Sequence, residues 1–269
     1  MSDVAVPVDI DVDVIVLDVD GGLMLRDCLA SIAAQTRPPR RVIVFDNGSR
    51  MPTPGAIRSE VNLGFAGGMN AALQHSDAPF VALINNDVVL DADWLAMVAE
   101  AMARDEKLAA VQTIIRRDDH TVDGAGIDVS AGTIRQIGHG LSLTTPLPPA
   151  WGVSATAALY RRAALGSRPF NERFFAYYED AELSARLREA GWKLTVLPEA
   201  KATHHGSQSA SLLGGRAVLL RTRNRYWVAR LHPGTARIGA LLCEDFSLLL
   251  RGRSSLRGIV LGMLGVIGD

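Results

Sequence analysis

The stretch VDVIVLDVDGGLMLRDCLASIAAQTRPPRRVIVFD, residues 12–46, decides the fold. Its first eight residues are dense in β-branched side chains, the composition of a buried strand. Gly21-Gly22 supplies a turn. Leu25, Cys28, Leu29, Ile32 and Ala33 then recur at helical spacing, which predicts an amphipathic helix with one buried face. Pro38-Pro39 closes that helix, and residues 40–46 read as a second strand. A strand, a crossover helix and a second strand at this spacing lie parallel, and such units build a doubly wound α/β sheet.

Outward from this unit the pattern continues. The glycine-rich NLGFAGGMN (62–70) reads as a loop leading into a helix start. FVALI (80–84) is the next strand, and Asp91 is the expected N-cap of a helix carrying Trp94, Val98 and Met102 on one face. AAVQTII (109–115) is a further strand, and residues 116–150 are rich in Gly and Pro and expected to be irregular. YEDAELSARLREAG reads as a helix stopped at Gly191, and KLTVLP (193–198) as a strand ended by its proline. After residue 210 acids thin out and arginines accumulate, with helices separated by HPG and RGRSS. A boundary near Gly214-Gly215 divides the chain into residues 1–214, with a nucleotide half to about 115 and an acceptor half beyond it, and a helical extension at 215–269.

Composition narrows the function. The chain has 269 residues, 48% of them hydrophobic, and a formal net charge of −1, so no global basic field points to nucleic acid. Cys28 and Cys243 are its only cysteines and are too far apart for a zinc or disulfide framework. The opening MSDVAVPVDIDVDVIV lacks the basic start of a signal peptide, and no apolar run reaches the ~20 residues of a membrane span. A cytoplasmic protein is expected.

In an open parallel sheet, ligands bind beyond the carboxyl ends of the strands. Asp18, Asp46 and Asp87 fall at three such ends, where like charges repel unless a cation or a hydrogen-bonding ligand is present. Alone, each also suits a turn. FFAYYEDAEL puts Glu179 and Asp180 at a helix start beside four aromatic residues. Carboxylates there either answer the helix dipole or supply a general base in an aromatic pocket. ATHHGSQS follows a strand and sets His204 and His205 in a polar loop. Two consecutive residues of an extended chain face opposite ways, so at most one of these histidines joins a given site.

Together, VFDNGS, NLGFAGGMNAAL, ALINNDVVL, RPFNERFFAYYEDAELSARLREAGWKL and PEAKATHHGSQS resemble, in order, the family 2 inverting nucleotide-sugar glycosyltransferases. Among them the chain is most similar to the bacterial rhamnosyl- and galactofuranosyltransferase-like branch. The likeness runs over roughly residues 12–230 and is most specific from Phe170 to Gly191. It implies the GT-A fold, a Rossmann-like, mostly parallel sheet flanked by helices. It also implies a UDP- or dTDP-linked sugar donor, a glycan or lipid-linked acceptor, and Mg²⁺ or Mn²⁺. By the same resemblance Asp180 is the general base and Asp46 holds the base or ribose. Asp87, the last member of the metal motif, binds the cation with His204, His205 being the fallback. Asn62 and Gly68 lie near the nucleotide, and Asn86 shapes the turn or touches the sugar. Trp151, Tyr178 and Glu179 face the acceptor. The first strand departs from the family pattern. Asp18-Val19-Asp20 stands where Thr-Tyr-Asn is usual, so either Asp18 hydrogen-bonds the base or donor binding is unusual.

Two other functions compete. A nucleotidyltransferase shares a related sheet and a metal-binding acid, with DVDGGLMLRD as its triphosphate loop. An inactive nucleotide-sugar-binding homologue would explain the altered first strand. The arginine-rich tail is either a solvated cap or a basic aromatic face. In the second reading Arg223, Arg225, Arg230, Tyr226 and Trp227 contact anionic headgroups at the membrane surface.

Overall fold

A computed structural model describes residues 10–206 and 213–266, leaving the N-terminal segment and the end of PEAKATHHGSQS outside the described residues. β1 (Val12–Asp18) and β2 (Arg41–Asn47) pair in parallel around the crossover helix α1 (Gly22–Ala33), as residues 12–46 predict. β3 (Ile57–Ser59) adds in parallel outside β2, and β4 (Phe80–Asn85) in parallel on the other side of β1. Past β4 the order continues with β10 (Ala157–Arg161), β6 (Leu108–Arg117), β11 (Lys193–His204) and β5 (Val88–Leu90). β10 runs against both its neighbours, β6 and β11 are parallel, and β5 is antiparallel to β11. β7 (Val122–Gly124) pairs with β6, while β8 (Ile127–Asp128) and β9 (Arg135–Gln136) form a separate ribbon.

Strand alternation sorts the core into two layers. Val12, Val14 and Val16 of β1 join Leu25, Cys28 and Ile32 of α1 and Trp94, Leu95 and Val98 of α3 (Trp94–Arg104) on one face. Ile15 and Leu17 join Met69 and Leu73 of α2 (Gly64–Leu73) on the other. Leu165 of α4 (Arg162–Leu165) and Leu183 and Leu187 of α5 (Glu179–Glu189) pack on that same face. A helix on each face of a mostly parallel sheet is the arrangement that buries both strand faces at once.

Four local expectations need correction. Pro198 does not end its strand. β11 passes through it with a register shift between Leu197 and Lys201, because a bulge tolerates the missing N–H, and it runs on to His204. The histidine therefore sits at a strand end rather than in a loop. The glycine-rich segment is helical from Gly64 onward. Asp91 does not cap α3 with its side chain; that carboxylate pairs with Arg116.

The fourth concerns the tail, which folds as α6 (Gly215–Leu231), α7 (Ile238–Leu249) and α8 (Leu256–Leu264). Arg223, Arg225, Tyr226 and Trp227 are buried and form no outer face. Arg225 pairs with Glu244 at 2.7 Å and with Asp245, which also accepts the Tyr226 hydroxyl at 2.7 Å. The Arg223 guanidinium lies 4.2 Å from the Trp227 ring centroid. Arg225 is buried because α7 supplies matching acids, the condition for removing a charge from water, and Arg223 donates to the carbonyl oxygens of Arg173 and Phe174. The tail shares one core with Ile127, Ile134, Phe174 and Ala181.

Candidate active site

β1 and β2 end side by side with Asp18 opposite Asp46 in register. Protein donors, not a cation, answer their charge. Asp18 accepts the Gly21 N–H at 3.1 Å, the Asn86 side-chain amide at 2.6 Å and the Thr53 hydroxyl at 2.6 Å. Asp46 accepts the Ser49 N–H at 2.8 Å and the Thr53 N–H at 3.0 Å, and pairs with Arg58. Burial works to raise the Asp46 pKa, but those two N–H donors, with Ser49 and Arg58, hold it below the usual aspartate value. Neither acid is among the residues that line the cleft described below. Their chain neighbours Val19 and Asn47 do line it. Burial forces each carboxylate to be satisfied from within, so both brace the loop at 49–53.

The cleft lies beyond the ends of β4 and β11 and has two adjoining chambers. The larger, about 550 Å³, is lined among others by Asp87, Asp123, His204, Tyr178, Glu179, Asp180 and Arg221. The smaller, about 120 Å³, is lined by Asn62, Asn86, Asn47, Gly64 and Val19, among others. Phe65, Asn85 and Ala176 border both. Asn62 accepts the Gly64 N–H at 2.8 Å and so shapes the start of α2. Gly68 is a close-packing position of α2. A Cβ there would lie 2.7 Å from the Asn47 amide nitrogen and 2.8 Å from Leu17, so glycine lets α2 close onto the sheet. Trp151 is also outside the lining residues; Arg188 stacks 5.8 Å from its ring centroid, and it packs with the tail core.

At one wall, His204 pairs with Val88 in β5, which brings its ring beside Asp87. Nε2 is 3.1 Å from Asp87 Oδ2, and Nδ1 is 2.8 Å from Asp123 Oδ2. Burial would lower the His204 pKa, yet hydrogen bonds to Asp123 and Asp87 push it up to about 10. His205 turns the other way, to Asp118 at 2.7 Å. The buried Oδ1 of Asp87 has no hydrogen-bond partner among the described residues. The open carboxylate oxygen fits Mg²⁺ or Mn²⁺, and the adjacent His204 Nε2 would join it once the ion displaces the proton that nitrogen shares with Asp87. It does not form a complete cage. No group of three or more His, Cys, Asp and Glu residues is arranged to hold an ion among the described residues, so further ligands must come from substrate or water.

At the opposite wall stands the acidic pair. Burial raises the Asp180 pKa, while the Ala181 N–H at 2.8 Å, Ser154 and the Ala155 backbone pull it back. Glu179 is raised well above its usual range by burial and by Asp180, and its Oε2 has no partner among the described residues. The two carboxyls titrate as a pair, and Asp180 is the member whose charged form is favoured by Ser154 and by N–H donors at 180, 181 and 155.

The segment that aims this pair is strained. Phe175, Tyr177 and Tyr178 all have positive φ, at 64°, 71° and 68°. Such backbone costs on the order of 1–3 kcal/mol per residue and persists only when its surroundings fix it. Asn224 of α6, fully buried, does so. Its amide nitrogen reaches the carbonyl oxygens of Phe174 at 3.0 Å, Ala176 at 2.9 Å and Tyr177 at 2.8 Å. Arg221 stacks 4.4 Å from the Tyr177 ring centroid at the cleft margin. Sequence reasoning misses Asp123, Asn224 and Arg221. Asp123 sits in a stretch that reads as irregular, and the other two sit in a tail that reads as surface.

The model of glycosyl transferase family 2 matches residues 14–168. The chain belongs to this family. It is 27% identical over 280 residues to the N-acetylglucosaminyl-diphospho-decaprenol L-rhamnosyltransferase of Mycobacterium tuberculosis, covering 88% of this chain and 91% of that protein. Among solved structures it resembles the mannosyltransferase PcManGT from Pyrobaculum calidifontis in complex with GDP-Man and Mn²⁺. The TM-score is 0.63 at 16% identity, over 96% of this chain and 80% of that one. It also resembles GalNAc-T7 with UDP, GalNAc and Mn²⁺, with a TM-score of 0.62 at 13% identity over 82% of this chain. The chain spans 48% of the GalNAc-T7 chain. The fold of this family 2 glycosyltransferase is GT-A, and the nucleotidyltransferase reading falls away.

Proposed function

We propose that this glycosyltransferase moves a sugar from a UDP- or dTDP-linked donor to a hydroxyl of a glycan or lipid-linked acceptor, with inversion at the anomeric carbon. The observation that carries the reading is a single cleft with two unlike walls. Asp87 and His204 stand on one side and the Glu179-Asp180 pair on the other. The curated relative in Mycobacterium tuberculosis, by its name, acts on a lipid-linked diphosphate, which supports the acceptor class.

Asp180 takes the proton of the acceptor hydroxyl as it attacks, a role worth on the order of 10²–10⁴-fold in rate. Only one proton acceptor is needed when the incoming oxygen displaces the nucleotide directly, and Asp180, whose charged form its neighbours favour, takes that role. Tyr178 and Glu179 shape the acceptor side. Asn62 and Asn86 border the smaller chamber and offer neutral amides to the nucleotide or sugar. Asp87 and His204 would hold a divalent ion, which when bound supplies positive charge opposite the leaving diphosphate. Asp123 fixes the tautomer and tilt of His204, the usual service of a carboxylate behind a metal-binding imidazole. Residues 1–214 carry this chemistry, and the helical segment at 215–269 supports it by holding the turn at 175–178 through Asn224.

Incubation with UDP- and dTDP-sugars and Mn²⁺, with and without an acceptor lipid, tests the reading. Nucleoside diphosphate should appear with acceptor present and stop when EDTA is added. Release that EDTA leaves unchanged would remove the cation from the account.

A further inference from the structure

We propose that the α7–α8 hairpin is a membrane-docking surface that seats the enzyme on an anionic phospholipid bilayer beside its acceptor cleft. Among the described residues, ten of the seventeen exposed large apolar residues fall between Leu231 and Val266. On α7 they are Ile238, Leu242 and Phe246, with Leu250 one step past its end. On α8 they are Leu256, Val260, Met263 and Leu264. Phe246 is 70% exposed, Leu250 78%, Leu256 67% and Leu264 65%, values at which the side chains cover nothing of this protein. Their spacing of three or four residues puts them on one side of each helix. The inward sides are occupied by Leu241, Asp245, Ile259 and Gly262.

The charges identify the occupant. Arg251, Arg253 and Arg257 are exposed in and just after the turn between the two helices. The acids of the hairpin, Glu244 and Asp245, point back to Arg135, Arg225 and Tyr226. The outer side therefore combines large apolar residues with arginines and no outward carboxylate. That pairing suits a layer whose interior is apolar and whose surface is negative. Among the described residues no helix is long and apolar enough to cross a membrane, so the hairpin lies in the interface. It also adjoins the cleft, since Glu244 of α7 binds Arg135, a cleft-lining residue, at 3.0 Å. The choice of a bilayer over another apolar partner rests on the lipid-linked acceptor proposed above.

Sedimentation of the full chain with vesicles, without donor, metal or acceptor, tests the surface apart from catalysis. Vesicles containing one-quarter phosphatidylglycerol should retain the protein, phosphatidylcholine vesicles should retain far less, and 0.5 M salt should release it. Phe246→Glu with Leu250→Glu should weaken binding about tenfold or more. Arg251→Gln with Arg253→Gln, in an exposed turn where folding is not at stake, should weaken it about fivefold per arginine. Absence of binding to anionic vesicles, or equal binding to neutral ones, overturns the proposal. So does a concentration-dependent dimer that Phe246→Glu abolishes, because the face would then belong to a second copy. Loss of transfer with vesicle binding intact would instead count against the catalytic reading alone.

Discussion

Asp180 shows how much a single carboxylate's surroundings decide. Burial raises its pKa, while the Ala181 N–H and neighbouring groups favour its charged form. A base with a raised pKa is protonated in acid and recovers as pH climbs through that value. The acid limb of kcat/KM should therefore lie above the ordinary aspartate pKa of about 3.9. Asp180→Asn keeps the shape and should lose about 10²–10⁴-fold in kcat with nucleotide affinity retained by calorimetry. A near-normal kcat would end its assignment as base. This residue is legible in the sequence because its role is local: an acidic pair, aromatics and a helix start are contiguous. Asp123 is not, since its partner His204 is brought to it by strand pairing from 81 positions away. Asp18 and Asp46 are legible only in part, for a related reason. Their place at a strand end is readable, but the donors that occupy them arrive from Thr53, Arg58 and Asn86 only after folding.

The element that sets the base is the turn at 175–178, and its strain is held from another element. Asn224 spans three carbonyl oxygens with one amide, while its own oxygen accepts Arg223 Nε–H at 3.0 Å, which fixes the amide's orientation. Asn224→Ala leaves buried carbonyls without donors and should destabilise the protein by about 2–3 kcal/mol in urea unfolding. Asn224→Asp is the sharper variant, because it has the same outline but presents acceptors to acceptors. It should lower kcat with little change in donor KM. Wild-type turnover in Asn224→Asp would separate the turn from catalysis. The same scale explains the misread strand. Proline signals an end when only local backbone is considered, whereas β11 uses a bulge at that point and resumes pairing with β6 and β5. Without that resumption His204 would not reach Asp87. Gly64 belongs here too: at φ +73°, a Cβ would stand 2.4 Å from the Phe175 carbonyl oxygen, so α2 and the strained turn meet only through glycine.

Across the whole molecule, the parallel half of the sheet was predictable because hydrophobic periodicity reports burial along one chain segment. The order of β10, β6, β11 and β5 was not, because antiparallel insertions are set by which edges remain to be covered. At the edge away from the cleft, Asp13 joins β1 to Arg40 at 2.8 Å, Arg41 at 2.9 Å and Ser76 at 2.8 Å. Burial opposes ionisation, but these partners lower its pKa to about 2. A depressed folded pKa gives stability that is complete above the unfolded value near 3.9 and fades as pH falls toward about 2. Asp13→Asn should thus cost about 2 kcal/mol at pH 7 and much less at pH 2, measured by urea midpoints. A constant difference across that range would show that the pair contributes by packing alone. The cleft walls couple to folding in the same way. A ligand that binds only the folded state at a hundredfold excess over Kd stabilises by about 2.7 kcal/mol, which for a chain of this size raises Tm by about 5–10 °C. UDP with Mn²⁺ should give such a rise, and UDP alone much less, if Asp87 and His204 hold the ion against the diphosphate. Asp87→Asn should erase the Mn²⁺-dependent part, read against that variant's own ligand-free Tm, because the substitution also removes the ion pair of Asp87 Oδ2 with His204 at 3.1 Å. An undiminished Mn²⁺ effect in that variant would move the cation to another part of the cleft.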